Sequence, residues 1–165
     1  MTQAYFTPAT AADVVGQTFT SGWHEIDQAS IQTFGQVTKD PDPHHVDPEF
    51  CKDNSPWGAP IAFGFQTVAM ITPMLYGVYR YPLDGDPADG YPASFGANRL
   101  RLISPVKAGS RIRGHFNVAD VTDRKPGQMQ LTFDITVEIE GEERPALQAQ
   151  WLMLWITPQA DAAAA

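Results

Sequence analysis

The sequence predicts an α+β domain in which a curved antiparallel sheet wraps one long central helix. Three observations carry this prediction. Helix caps and 3.6-residue spacing are confined to the first half of the chain. A strongly apolar region, Pro60 to Tyr79, occupies the middle. Four β-rich segments punctuated by turn residues fill the second half.

The elements follow in order. Asp27 is a helix cap, and Ile31, Phe34 and Val37 are spaced for one buried face, with the helix ending near Thr38 to Asp40. A second short helix is expected at Asp47, because Pro48 suits its first turn and Glu49 suits its dipole. Asn54 to Pro60 is a loop. The apolar helix is expected from about Ile61 into the early seventies, with Pro73 kinking or ending it. A helix apolar on all sides must be wrapped, and a small sheet covers only part of it, so a second subunit is expected. Gly77 to Pro92 is a surface loop rich in Gly, Pro, Asp and Tyr. Strands are expected over Ser94–Ile103, Ser110–Val121, Met129–Ile139 and Ala146–Ile156, in one four-stranded meander whose last three strands are joined by tight turns. Residues 1–157 read as one domain and 158–165 as a loose tail.

Composition narrows the function classes. With 165 residues, 43% of them hydrophobic, the chain is long enough to bury a substantial core. A net charge of −8 disfavours nonspecific contact with nucleic acid or anionic membrane. Gln66, Thr67, Thr72 and Pro73 interrupt the longest apolar region, which makes it a poor membrane span. The first residues lack a basic stretch followed by an apolar one, so no signal peptide is expected and the cytoplasm is the expected compartment. Cys51 is the single cysteine, which excludes an intrachain disulfide.

The run Asp40-Pro-Asp-Pro-His-His45, followed by Val-Asp-Pro-Glu, carries the chemistry. Proline fixes its own φ and pushes the preceding residue out of the helical region. Asp40 and His45 should therefore flank a stiff turn. A carboxylate and an imidazole held at a fixed gap can share one water, one accepting its proton while the other orients it. Asp40, Asp42, His44, His45, Asp47 and Glu49 also supply metal-ligand types. They are crowded among three prolines, so few can converge on one ion and no metal is expected.

This run resembles the hydratase motif of the MaoC-like, R-specific enoyl-CoA hydratases, Asp-x-Asn-Pro-aliphatic-His-x-Asp-Pro. Pro60-Ile-Ala-Phe-Gly-Phe65 is similar to that family's Pro-Ile-Ala-His-Gly-(Met/Phe) signature. Ser94 to Ser110 and Pro145 to Trp151 resemble the nodulation-protein-N-like branch. The resemblance runs from about Asp27 to Ile156.

The resemblance implies a hot-dog fold, a homodimer and no cofactor. It also implies hydration of a trans-2-enoyl thioester of coenzyme A or of an acyl carrier protein to the (R)-3-hydroxyacyl thioester, and the reverse. Asp40 and His45 match the water-activating pair. Gly64 matches the position whose N–H binds the thioester oxygen, and Thr72 falls where some members carry a site serine. Phe63 and Ser94 are further candidates for substrate contact. Three positions depart from the pattern. Asp42 replaces asparagine and adds a carboxylate able to raise the pKa of its neighbours. His44 replaces an aliphatic residue. Phe63 replaces histidine and is expected to shape the acyl pocket without moving protons.

Arg99 with Arg101, and Arg111 with Arg113, share strand faces by their two-residue spacing. They are candidates for the phosphates of coenzyme A, or equally an ordinary solvated sheet face. Tyr76, Tyr79, Tyr81, Tyr91 and Phe95 suit an acyl tunnel or core and dimer packing. Two alternatives remain at this level. A hot-dog thioesterase is disfavoured by the Asp-x-x-x-x-His spacing. A non-catalytic acyl-thioester-binding protein fits the change at Phe63.

Overall fold

The structure, a computed structural model, describes residues 8–78 and 90–157. A 3₁₀ turn over Pro8–Val14 leads into two short strands, β1 (Thr18–Thr20) and β2 (His24–Ile26), which the sequence patterns do not announce. Helix α1 (Gln28–Thr38) starts where Asp27 accepts from the Ser30 N–H at 2.7 Å. It ends at Lys39, which adopts φ 59° in the left-handed region. Val37 is 77% exposed, against expectation. At 100° per residue it lies about 240° round from Ile31, whereas Phe34 and Gly35 share the inward stripe. The one-turn helix α2 (Pro43–Val46) and helix α3 (Pro48–Asn54) follow. Asp47 caps α3 as its position predicts, accepting from the Phe50 N–H.

The long central helix is two short ones, α4 (Gly64–Ala69) and α5 (Ile71–Tyr76). Pro73 explains the interruption. It has no N–H to offer the Ala69 carbonyl, and its ring crowds that oxygen. Hydrogen bonds from Met70 N–H to the Gln66 carbonyl and from Met74 N–H to the Met70 carbonyl carry the chain through the bend. The sheet covers one side of this unit. Ile71 and Met74 are fully buried there, each burial contributing about 1.5–3 kcal/mol, whereas Phe65 is 72% exposed on the other side.

Four long strands complete the fold: β3 (Tyr91–Leu102), β4 (Ser110–Lys125), β5 (Gln128–Ile139) and β6 (Leu147–Ile156). They begin and end close to the predicted positions, although Pro92, expected in the loop, lies within β3. The interior of the expected loop, residues 79–89, is outside the described residues, as is the tail 158–165. The antiparallel sheet has the order β1-β4-β5-β6-β3, with β2 also on β4. The last three strands form the expected meander. β3 departs from it: it pairs with β6, not with its sequence neighbour β4. The β3–β4 link crosses the sheet end because it is fastened beneath it. Ala62 N–H donates to Val106 O at 2.7 Å, Ala108 N–H to Pro60 O at 2.9 Å, and Gly109 N–H to Ile26 O at 2.7 Å. The segment entering α4 is thereby anchored to the sheet.

Alternation along β4 and β5, interrupted by a register shift after Val118, sorts the two faces. Ile112, Phe116 and Val118 on β4 and Leu131, Phe133, Ile135 and Val137 on β5 point into the core. The opposite face is polar. One row runs Arg99, Gln150, Asp134, Asn117, Thr18 across five paired strands.

Candidate functional site

Asp40 is placed by the end of α1. With Lys39 left-handed, the Asp40 N–H turns back to the Gly35 carbonyl at 2.9 Å. Gly35 makes the closure possible. A Cβ there would lie 2.9 Å from the Asp40 oxygen, 3.0 Å from Phe63 Cζ and 3.1 Å from Val46 Cγ1. Asp40 is exposed, borders a cleft of about 470 Å³ along α1, and accepts from the Asp42 N–H at 3.1 Å through Oδ1.

His45 rides on α2, so the expected stiff turn is a turn followed by one helical turn opened by Pro43. Its ring is half-buried and held at two places. Nδ1 lies 2.7 Å from the Ile61 carbonyl oxygen, and Phe63 covers one face with ring centroids 3.9 Å apart. A carbonyl only accepts, so in the neutral ring Nδ1 carries the proton and Nε2 keeps a lone pair that no donor among the described residues engages. Among the described residues Asp40 and His45 share no hydrogen bond; each is fixed from its own side.

Two of the three unusual positions account for each other. Asp42 Oδ1 accepts from the His44 N–H and from His44 Nδ1, both at 2.9 Å. These bonds, the backbone one first, hold the Asp42 carboxyl below the ordinary carboxylate range. Asp42 thus caps α2, and its charge, behind burial and Asp47, also helps push the Cys51 thiol up. The His44 ring meets Phe50 and Trp57 edge to face.

Phe63, only 6% exposed, precedes α4 and packs on both Phe34 and His45. Gly64 opens α4, so its N–H has no intrahelical acceptor. A Cβ at Gly64 would run into Leu102 Cδ1 on β3. Thr72 lies beyond the bend, half-buried in the first turn of α5, on a different helix from Gly64. Ser94 is exposed on β3 opposite Met153, next to a bulge.

The arginines divide. Arg113 makes a two-pronged ion pair with Glu138 at 2.7 and 3.2 Å, and Arg111 pairs with Glu140 at 3.0 and 3.2 Å. Both guanidinium groups also lie over the Trp23 ring. Nη1 of Arg111 and Nε and Nη2 of Arg113 are thus engaged by carboxylates. Arg99 and Arg101 are exposed and line an open groove of about 780 Å³ on the polar sheet face. Leu102 alternates with Arg101, so these arginines lie on the opposite side of β3 from Gly64.

The sequence model of the MaoC like domain matches residues 10–139. The chain belongs to this family. Nodulation protein N of Rhizobium meliloti is 38% identical to this MaoC-like chain over 144 residues, 87% of each. The 3-hydroxyacyl-thioester dehydratase Z of Mycobacterium tuberculosis is 32% identical over 148 residues, 90% of this chain and 92% of the relative. Solved structures agree on the hot-dog fold. The (R)-hydratase of A. caviae involved in PHA biosynthesis superposes with a TM-score of 0.63 at 21% identity, covering 84% of this chain and 94% of that one.

Three contributors to this MaoC-like site escape sequence reading. The Ile61 carbonyl leaves no trace in residue type. Gly35 leaves one, a glycine inside a helical pattern. Gln28 reaches the His45 carbonyl at 2.9 Å from a distant helix, a contact no local pattern announces. No helix among the described residues is long and apolar enough to cross a membrane.

Proposed function

We propose that this MaoC-like protein is a hydratase/dehydratase that adds water across a trans-2-enoyl thioester of coenzyme A or an acyl carrier protein, giving the (R)-3-hydroxyacyl thioester, and catalyses the reverse. The observation that carries the proposal is the Nδ1 bond of His45 to the Ile61 carbonyl, which leaves Nε2 as a base with a fixed tautomer. In this reading Nε2 takes a proton from water while Asp40 orients the water by accepting its other hydrogen. The hydroxyl adds to C3, the electron pair moves toward the thioester oxygen, and the proton passes from Nε2 to C2, so the atoms of one water are accounted for. The Gly64 N–H, with no helical acceptor of its own, stabilises the enolate oxygen. The similarity to a 3-hydroxyacyl-thioester dehydratase supports the reaction class.

Thr72 and Ser94 are proposed as acyl-side contacts, each on a different element. A second copy is proposed to cover the β3 edge, where Tyr91, Phe95, Leu100 and Leu102 are exposed. Arg99 and Arg101 remain the candidates for anionic groups on the sheet's polar face.

The test is an absorbance assay that follows loss of the conjugated enoyl thioester across short, medium and bulky acyl groups. Hydration with the thioester intact supports the proposal. Release of free coenzyme A without hydration indicates a thioesterase, and binding without turnover indicates an acyl-thioester-binding protein.

A further inference from the structure

The helix that carries His45 is one turn long, and a single turn does not hold its shape alone. Its last carbonyls have no donors within the helix. Two glutamines on α1, one turn apart, supply them. Gln28 Nε2 donates to the His45 carbonyl at 2.9 Å, and Gln32 Nε2 reaches the Val46 carbonyl at 3.5 Å. The Gln28 side-chain oxygen is buried, and no protein donor among the described residues reaches it. For stability alone, an apolar side chain of the same length would avoid that orphaned acceptor.

We infer that Gln28 is a positioning residue for His45, clamping its backbone from α1 while the Ile61 carbonyl fixes the ring from the other side. This rests on the proposal that His45 is the base. The two holds act on different atoms, the main-chain oxygen and ring Nδ1, and together they set where Nε2 points. Gln32 makes the longer contact and is the secondary member of the clamp. Releasing Gln28 leaves the protonation pattern of the ring intact but lets α2 shift, and small displacements of a reacting group are costly.

Gln28→Met keeps the side-chain length and removes the donor. It is expected to lower kcat about tenfold with KM held within about twofold, because the group displaced acts in the transition state rather than in binding. The His45 Nδ1 proton resonance should move or broaden. Added to His45→Ala, it should cost nothing further, since a residue acting only through His45 has nothing left to position. Thr33→Ala, an exposed position on the same helix, serves as the control and should match wild type. If Gln28→Met fails to fold, Gln28→Glu substitutes an acceptor of equal length, and the same losses are expected. Wild-type kcat in the folded Gln28 variant, with His45→Ala inactive, overturns the inference and leaves the proposed reaction standing. A loss that adds in full to that of His45→Ala also overturns it. Wild-type kcat in His45→Ala instead removes the reading on which the inference rests.

Discussion

The ring of Phe63 lies against the ring of His45, with centroids 3.9 Å apart and planes inclined by 31°. The residue that departs from the family signature is therefore a wall of the proposed base as well as a candidate for shaping the acyl pocket. Phe63→Ala is expected to destabilise the protein by about 3 kcal/mol and to loosen the imidazole, since both Phe34 and His45 lose their packing partner. Phe63→His, closer in volume, should fold and alter the ranking of acyl groups. Denaturant unfolding and kcat/KM over an enoyl-thioester panel check both. Equal rate changes for every substrate with Phe63→His would remove its selective role.

Gly64 offers a second test. A methyl group there meets the end of Leu102, a partly exposed and flexible side chain able to swing aside. Gly64→Ala should therefore cost little stability, roughly 1 kcal/mol or less, while crowding the approach to the backbone donor and reducing kcat by about 10²-fold. An unchanged kcat in the folded variant would move the thioester oxygen away from this amide.

Glu138 is held below its ordinary value of 4.5 by Arg113 first and His115 second. A depressed folded-state value means that its stabilisation is fully present above 4.5 and is lost as the pH falls through the lower value. Glu138→Gln should then cost about 1 kcal/mol near pH 7, and the gap to wild type should close in acid. Urea midpoints measured at neutral pH and near pH 3 follow the difference. A gap of equal size at both would contradict the ion-pair account.

Much of this fold was legible because caps and alternation are local signals. Asp27 and Asp47 cap the helices their positions suggest, and β4, β5 and β6 form the meander that their tight turns imply. The misses came from non-local causes. Nothing near β3 announces that it pairs with β6, because that pairing depends on the link fastened under Pro60 and Ala62. Val37 was misjudged because a spacing of six residues drifts off the buried stripe. The long helix was overdrawn because Pro73 acts back on Ala69. At the candidate site, residue types and spacing nominated Asp40 and His45, the pair proposed to activate water. The mutual pairing of Asp42 and His44 and the ion pairs of Arg111 and Arg113 needed the geometry.

The exposed apolar residues along β3 predict a particle of twice the 18.1 kDa chain mass in solution. Light scattering at micromolar concentration measures this. Leu102→Lys, on the face toward Gly64, should shift the equilibrium toward monomer, and a monomeric wild type would contradict the proposed pairing.

The central claim is that Asp40 and His45 together activate one water. The most direct test is steady-state hydration of a trans-2-enoyl thioester by wild type, Asp40→Asn and His45→Ala, each confirmed folded by circular dichroism. Both variants are predicted to lose about 10²–10⁴-fold in kcat/KM. Near wild-type kcat/KM in either folded variant would contradict the claim for that residue.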